Sequence, residues 1–90
     1  MGTIYRANGD IEAVEPLNGK DYKLEQLQEI VGGFIECVAS RDGTRLLVVN
    51  EEGKLQALAA NANATKWMFT EGHADVVVGD AVVIGAKELK

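Results

Sequence analysis

A helical spacing of apolar residues stands out between Lys23 and Val31. Apolar positions recur at i, i+3 and i+7 while glutamates and glutamines fill the opposite side, which is the pattern of an amphipathic helix. The apolar face consists of Leu24, Leu27, Val31 and the adjoining Ile30. Asp21 is a candidate N-cap, because its carboxylate can accept a backbone N–H bond. Gly32 suits the left-handed position that follows many helices, so we expect the helix to end there.

Two β-prone runs, Thr3 to Arg6 and Ile11 to Glu15, flank the dipeptide Asn8-Gly9. Asn-Gly between such runs favours a two-residue type I′ turn, because both central residues of that turn need a positive φ. A loop of this length places Ile4 opposite Ala13. The sequence therefore predicts a β-hairpin with this register at the start of the chain.

A second hairpin is predicted in the middle of the chain. Residues Phe34 to Ala39 alternate, with Glu36 and Val38 on one face of the strand. The run from Thr44 to Val49 is apolar on both faces, which suits an interior strand. Arg41-Asp42-Gly43 lies between the two runs and favours a turn, so we expect them to pair antiparallel.

The segment from Asp75 to Gly85 allows two interpretations. Its apolar triplets Val76–Val78 and Val82–Ile84 lie on either side of Gly79-Asp80, so they could pair across a tight turn. Alternatively, residues 75–78 form a lead-in and a single strand starts at Gly79-Asp80. We favour the second interpretation, because a hairpin here would have very short strands.

A second, short helix is predicted from Asn61 to Phe69, with Asn61 as its N-cap. The residues before it, Leu55–Leu58, could be extended or helical. Trp67-Met68-Phe69 supplies a large apolar surface, either to cover the sheet or to act as an exposed anchor for a partner. Together these elements predict an α+β fold in one domain covering residues 1–90. Its antiparallel, partly barrel-like sheet of about five strands would pack on one main amphipathic helix and a second short one.

The charge balance restricts the choice of partners. The 90 residues carry a formal net charge of −5, which argues against binding to a nucleic-acid backbone or an anionic membrane surface. Cys37 is the single cysteine, so it cannot form an internal disulfide, and it fits a reducing compartment. No apolar run approaches the roughly 20 residues that span a bilayer, and the first residues lack signal-peptide features. We therefore expect a cytoplasmic protein that binds neither nucleic acid nor a membrane.

The densest polar cluster is Asn50-Glu51-Glu52-Gly53-Lys54. As a binding loop it offers an amide, two carboxylates and an ammonium group, and the two carboxylates could hold a divalent metal or share a proton. The alternative is a solvated turn in which Gly53 takes a positive φ. The candidate ligand- or partner-binding residues of the chain are Asn50, Glu51, Glu52, Lys54, Asn61 and Trp67.

No catalytic residue, cofactor or metal site is predicted. His73 is the only histidine, so neither a catalytic triad nor a zinc site can be argued from spacing. Cys37 lies in a predicted strand at a place for a small apolar side chain. Asp75 and Asp80 are interpreted as turn carboxylates, with contact to a metal or ligand as the alternative.

Two stretches carry a resemblance to a known family. The runs LQEIVGGFIE at Leu27–Glu36 and NEEGKL at Asn50–Leu55 are similar to a family of small uncharacterised proteins. Members of that family are encoded mainly by bacteriophages, plasmids and other mobile elements. Asn61 and the run Asp75–Asp80 also resemble its later pattern, so the resemblance covers about residues 10–85. It implies a mobile-element origin and a fold, and it implies no settled activity.

Three hypotheses about function follow. The leading one is a small non-enzymatic binding protein, an accessory or host-defence-antagonist factor that binds a host protein or sequesters a nucleotide-like ligand. The first alternative is a small metal- or nucleotide-dependent enzyme using Glu51, Glu52 and Asp80, which requires these carboxylates to converge. The second alternative is a structural module that forms homo-oligomers through Val76–Ile84 or Trp67–Phe69.

Overall fold

The computed structural model describes residues 1–89, and it contains a five-stranded antiparallel sheet and two α-helices. The strands are β1 (Gly2–Tyr5), β2 (Ile11–Val14), β3 (Ile35–Ala39), β4 (Arg45–Asn50) and β5 (Ala81–Gly85). The helices are α1 (Leu24–Val31) and α2 (Ala62–Thr70), and a single 3₁₀ turn follows β5 at Ala86–Glu88. The predicted α+β fold is therefore confirmed.

The sheet has the five antiparallel strands that were predicted, and it is open: it does not close into a barrel. Its strands lie in the order β2-β1-β5-β4-β3, and every neighbouring pair is antiparallel. Closure would require β2 and β3 to pair, but they are the two edges. Both edge strands are short, with four and five residues.

The central strand β5 is apolar on both faces because a helix covers each face. Ala81 to Ile84 are all buried. Leu27 and Val31 of α1 pack on one face, and Trp67 and Met68 of α2 pack on the other. Residues 75–80 run to β5 as a lead-in and a bend, so this segment holds a single strand and no hairpin, and the strand starts at Ala81, just after Gly79-Asp80.

Helix α1 has the predicted apolar stripe, and it ends at Gly32, whose φ of 79° is left-handed. Its start differs. Lys23 occupies the N-cap without a side-chain bond, whereas the Asp21 carboxylate accepts a hydrogen bond from Asn18 Nδ2 in the preceding turn. Leu24 lies in the first turn and is half exposed. The buried stripe therefore depends on Leu27 and Val31, and Asp21 is not the cap.

The first hairpin has a different register from the predicted one. Ile4 lies opposite Glu12, not Ala13. The Arg6 N–H donates to the Asp10 carbonyl, so the connection spans three residues, 7–9. Only Gly9 in this loop has a positive φ, whereas the Asn8 side chain accepts a hydrogen bond from the Asp10 N–H. A type I′ turn needs two positive φ values, so this loop is not one.

The second hairpin and the second helix agree with their predictions. Strands β3 and β4 pair antiparallel, and the Asn61 side chain caps α2 by accepting a hydrogen bond from the Ala64 N–H. Neither interpretation of Leu55–Leu58 is correct. Residues 51–57 form successive turns in which Ala57 has a φ of 53°.

Candidate functional site

A cleft lies between the β3–β4 end of the sheet and the segment that leads into β5. It is open to solvent, encloses about 140 Å³, and we call it the acidic cleft. Its floor is apolar, formed by Val38, Val49 and Met68. Its exposed charged rim consists of Glu36, Glu51, Lys54 and Asp75. Two of the predicted site residues, Glu51 and Lys54, are therefore brought together here.

The register between β3 and β4 determines where Glu36 and Glu51 lie in the rim. Glu36 pairs with Val49 across β3 and β4, so both side chains stand on the same face of the sheet as α2. Glu51 comes directly after β4, and its N–H donates to the Phe34 carbonyl over 2.8 Å. This bond prolongs the pairing and holds Glu51 at the mouth of the cleft.

An ion pair joins the two walls of the cleft. Lys54 Nζ donates to Asp75 Oδ1 over 2.7 Å, with both side chains more than half exposed. The Lys54 ammonium group and then the Val76 N–H hold the pKa of the Asp75 carboxyl below its usual value. Asp75 therefore stays ionised, and three carboxylates and one ammonium group give the rim a formal charge of −2.

Asn50 and Asn61 use their side chains inside the protein. Asn50 is buried, its Nδ2 donates to the Val31 carbonyl, and its Oδ1 accepts from the Glu52 N–H. Asn61 is fully buried, and its Nδ2 donates to the carbonyls of Tyr5 and Gly79. These two amides fasten the ends of the helices to the sheet, so neither is presented to a ligand.

The remaining predicted site residues lie outside the acidic cleft. Glu52 is exposed beside Gly33 and Phe34 in a separate shallow depression. Trp67 is only 8% exposed, and its Nε1 has no hydrogen-bond partner within residues 1–89. It lines a groove beside α2 together with Tyr5 and Lys66, which we call the α2 groove. Most of this residue covers the sheet, as the core interpretation of Trp67 expects.

The structure does not bring together the carboxylates of the enzyme hypothesis. Asp80 accepts hydrogen bonds from Arg6 Nη1 and the Ala7 N–H near the β1–β2 turn. Glu51 and Glu52 follow the end of β4 that lies beside the start of β5, but Glu51 lines the acidic cleft, Glu52 lines a separate depression, and Asp80 lines neither. Among residues 1–89, no group of three or more His, Cys, Asp or Glu side chains is arranged to hold a metal ion.

His73 and Cys37 are the remaining titratable candidates. His73 Nε2 lies 2.9 Å from the Ala39 carbonyl, at the end of β3. Desolvation and then the Glu36 carboxylate raise the pKa of the Cys37 thiol, which disfavours the nucleophilic thiolate. Sequence reasoning missed Glu36 and gave Asp75 only a minor place. The alternation of β3 does put Glu36 beside Val38, so part of the cleft wall was visible in the sequence.

The fold and the cleft define a small α+β protein built on an open sheet, with an acidic cleft at the β3–β4 end. The chain belongs to the family described as Domain of unknown function (DUF3846), which matches residues 4–89. A family of unknown function agrees with the resemblance seen in the sequence. No curated protein and no solved structure matches the chain. Neither described helix is long and apolar enough to cross a membrane.

Proposed function

We propose that this is a non-enzymatic binding protein whose acidic cleft holds a cationic segment of a partner protein. The observation that carries the proposal is the combination of an apolar floor at Val38, Val49 and Met68 with a rim of charge −2. Apolar contact contributes binding free energy, and complementary charge selects the partner and speeds the encounter. A partner rich in Lys or Arg therefore fits this cleft better than an acidic one.

The biological setting is part of the same proposal. We propose that the chain acts in the cytoplasm of a host cell as an accessory factor of a mobile element, and that the partner is a host protein. The resemblance in LQEIVGGFIE and NEEGKL supports the origin. The single exposed Cys37 supports a reducing compartment.

Binding of a defined peptide tests the proposal. The probe is a blocked peptide of alternating Lys and Val residues, titrated into ¹⁵N-labelled protein and followed by NMR. We expect shift changes around Glu36, Glu51 and Lys54, and none with a matched peptide of alternating Glu and Val. Glu51→Gln should weaken binding, whereas Glu25→Gln on the exposed side of α1 should not. Equal binding of both peptides would contradict a charge-selective cleft.

A second binding function has one specific observation in its favour. The buried Trp67 Nε1 has no hydrogen-bond partner among residues 1–89, and Trp67 lines the α2 groove with Lys66 and with Arg45, which is paired with Glu71. An unpaired buried donor costs about 1–3 kcal/mol, which a ligand acceptor would recover. This supports sequestration of a small aromatic anion such as a nucleotide.

Tryptophan fluorescence tests this second function, because Trp67 is the only tryptophan in the chain. We expect adenosine monophosphate to change the emission in a saturable way. Lys66→Gln should weaken that response, and Lys20→Gln, at an exposed position far along the chain, should leave it unchanged. No response up to millimolar nucleotide would remove the α2 groove as a nucleotide site.

A further inference from the structure

Along β3, alternate residues turn their N–H and C=O groups toward β4 or away from the sheet. Two hydrogen bonds show which residues point away. The Ser40 N–H donates to the Arg45 carbonyl at one end of the β3–β4 pair, and the Glu51 N–H donates to the Phe34 carbonyl at the other. Hydrogen-bonded pairs alternate along an antiparallel ladder. Residues 36 and 38 therefore bond to β4, whereas the N–H and C=O groups of Ile35, Cys37 and Ala39 point away from the sheet.

Most of these outward groups are free. The Ala39 carbonyl contacts His73 Nε2 at 2.9 Å, which closes that end of the strand. Within the described residues 1–89, β3 pairs with β4 alone, and no other backbone bond engages Ile35 or Cys37. An exposed row of unpaired backbone groups is a template for another extended chain.

This free edge borders the acidic cleft. Glu36 and Val38 alternate with the outward-facing residues, and both line the cleft. A strand added beside β3 would therefore place every second side chain over the cleft, next to its carboxylates. Lys or Arg at those positions would meet the rim charge of −2, and the residues between them would lie beside Cys37 on the other face.

We infer that β3 takes up an extended cationic segment of a partner protein by strand addition. The inference rests on the proposed function of the acidic cleft and specifies how the partner binds. A second copy of the chain fits this edge less well, because it would bring a second acidic rim, from a chain of net charge −5, against the first. Main-chain bonds supply the register, and the rim selects the basic side chains.

A proline substitution separates strand addition from simple occupation of the cleft. Because the Cys37 N–H points outward, Cys37→Pro removes it without breaking the β3–β4 ladder, and proline is tolerated at such edge positions. Ala13→Pro is the matched control, since the Arg6–Asp10 bond places the Ala13 N–H outward on the other edge, β2. Circular dichroism should show that both variants keep the fold.

We expect Cys37→Pro to weaken binding of the alternating Lys-Val peptide by about tenfold or more, and Ala13→Pro to leave it unchanged. N-methylated peptides give an independent test with unaltered protein. Methylation at every Val should abolish antiparallel addition, and methylation at every Lys should abolish parallel addition. One methylated peptide should therefore lose binding while the other retains it.

Each other outcome overturns a defined part of the argument. If the peptide binds, Glu51→Gln weakens it, and both methylated peptides and Cys37→Pro bind normally, then strand addition is wrong and the proposed function stands. If the unmodified peptide does not bind, the cationic-segment function itself is wrong. A dimer in light scattering that Cys37→Pro dissociates would replace the partner segment by a second copy.

Discussion

Lys54 and Asp75 form a 2.7 Å ion pair between the two walls of the acidic cleft, although 21 positions separate them in the chain. Substitutions of the two partners should have opposite effects on a bound cationic peptide. Lys54→Gln leaves the Asp75 carboxylate free and should tighten binding of the Lys-Val peptide by about threefold, while Asp75→Asn should weaken it similarly. Calorimetric titration at low salt measures both effects.

Salt supplies the control for this pair. Exposed charges are screened over about 8 Å at physiological ionic strength, so both effects should shrink as salt is added. Neither substitution should change the free energy of unfolding appreciably, because exposed ion pairs contribute little to stability. Effects of the same sign for the two variants would contradict the assigned roles.

Asn61 should be among the most sensitive polar positions of the chain. Asn61→Ala removes the cap of α2 and takes a side-chain donor from the carbonyls of Tyr5 and Gly79. We expect the free energy of unfolding to fall by about 3 kcal/mol, measured by urea denaturation. Asn63→Ala is the control, because its side-chain hydrogen bond to the Gly9 carbonyl is long, at 3.3 Å, and its loss should cost about 0.5 kcal/mol or less. Equal losses would show that the Asn61 bonds are not formed.

The first turn offers a test of its geometry. Gly9 has a φ of 99°, so Gly9→Ala should cost about 1–2 kcal/mol of stability through backbone strain, although nothing lies within 4 Å of the added methyl group. Asn8→Ala removes two exposed side-chain hydrogen bonds, one from the Asp10 N–H and one to the Asp10 carboxylate, and should cost about 0.5 kcal/mol. A type I′ turn would make both positions sensitive to alanine, which denaturation of the two variants would reveal.

Asp42 gives the fold a defined acid response. Its carboxylate accepts bonds from the N–H and the hydroxyl of Thr44 and from the Ser40 hydroxyl, and these donors lower its pKa to about 2 from 3.8. Because the folded pKa is the lower one, the charged carboxylate stabilises the fold fully above pH 3.8. That contribution is lost as the pH falls through about 2.

NMR titration of the Asp42 side chain measures this pKa directly. Thr44→Val removes the hydroxyl donor, so it should move the midpoint part of the way back toward 3.8. The stability of Asp42→Asn should depend less on pH between 4 and 2 than that of the unaltered protein. An ordinary midpoint in the unaltered protein would mean that the turn is not closed in solution.

Local patterns predicted the elements, because each depends on residues close in sequence. The i, i+3, i+7 spacing predicted α1, and alternation predicted the β3–β4 hairpin. The first hairpin shows the limit. Asn8-Gly9 is compatible with a two- or a three-residue loop, and a shift of one residue moves Glu12 to the place opposite Ile4. Closure into a barrel depends on whether distant edges meet, which no local pattern determines.

Polar side chains with two uses limit what the sequence says about the site. Asn50 and Asn61 carry the donors and acceptors that a ligand site needs, and the fold uses the same groups to bind buried backbone carbonyls. Sequence alone does not distinguish the two uses. Glu51 and Lys54 were among the predicted site residues. Asp75 lies beside them in the cleft because the chain passes there on its way to β5, which the local sequence does not indicate.

Cys37, the single thiol of the chain, is exposed on the edge strand β3. At neutral pH a maleimide dye will attach at this one thiol without any engineered substitution, and because the pKa of the thiol is raised, the reaction will be slower than at an ordinary cysteine. Labelling with tags of increasing size would then measure how much free space lies beside β3. The unaltered protein therefore has a site for a probe at the strand edge where a partner segment would bind.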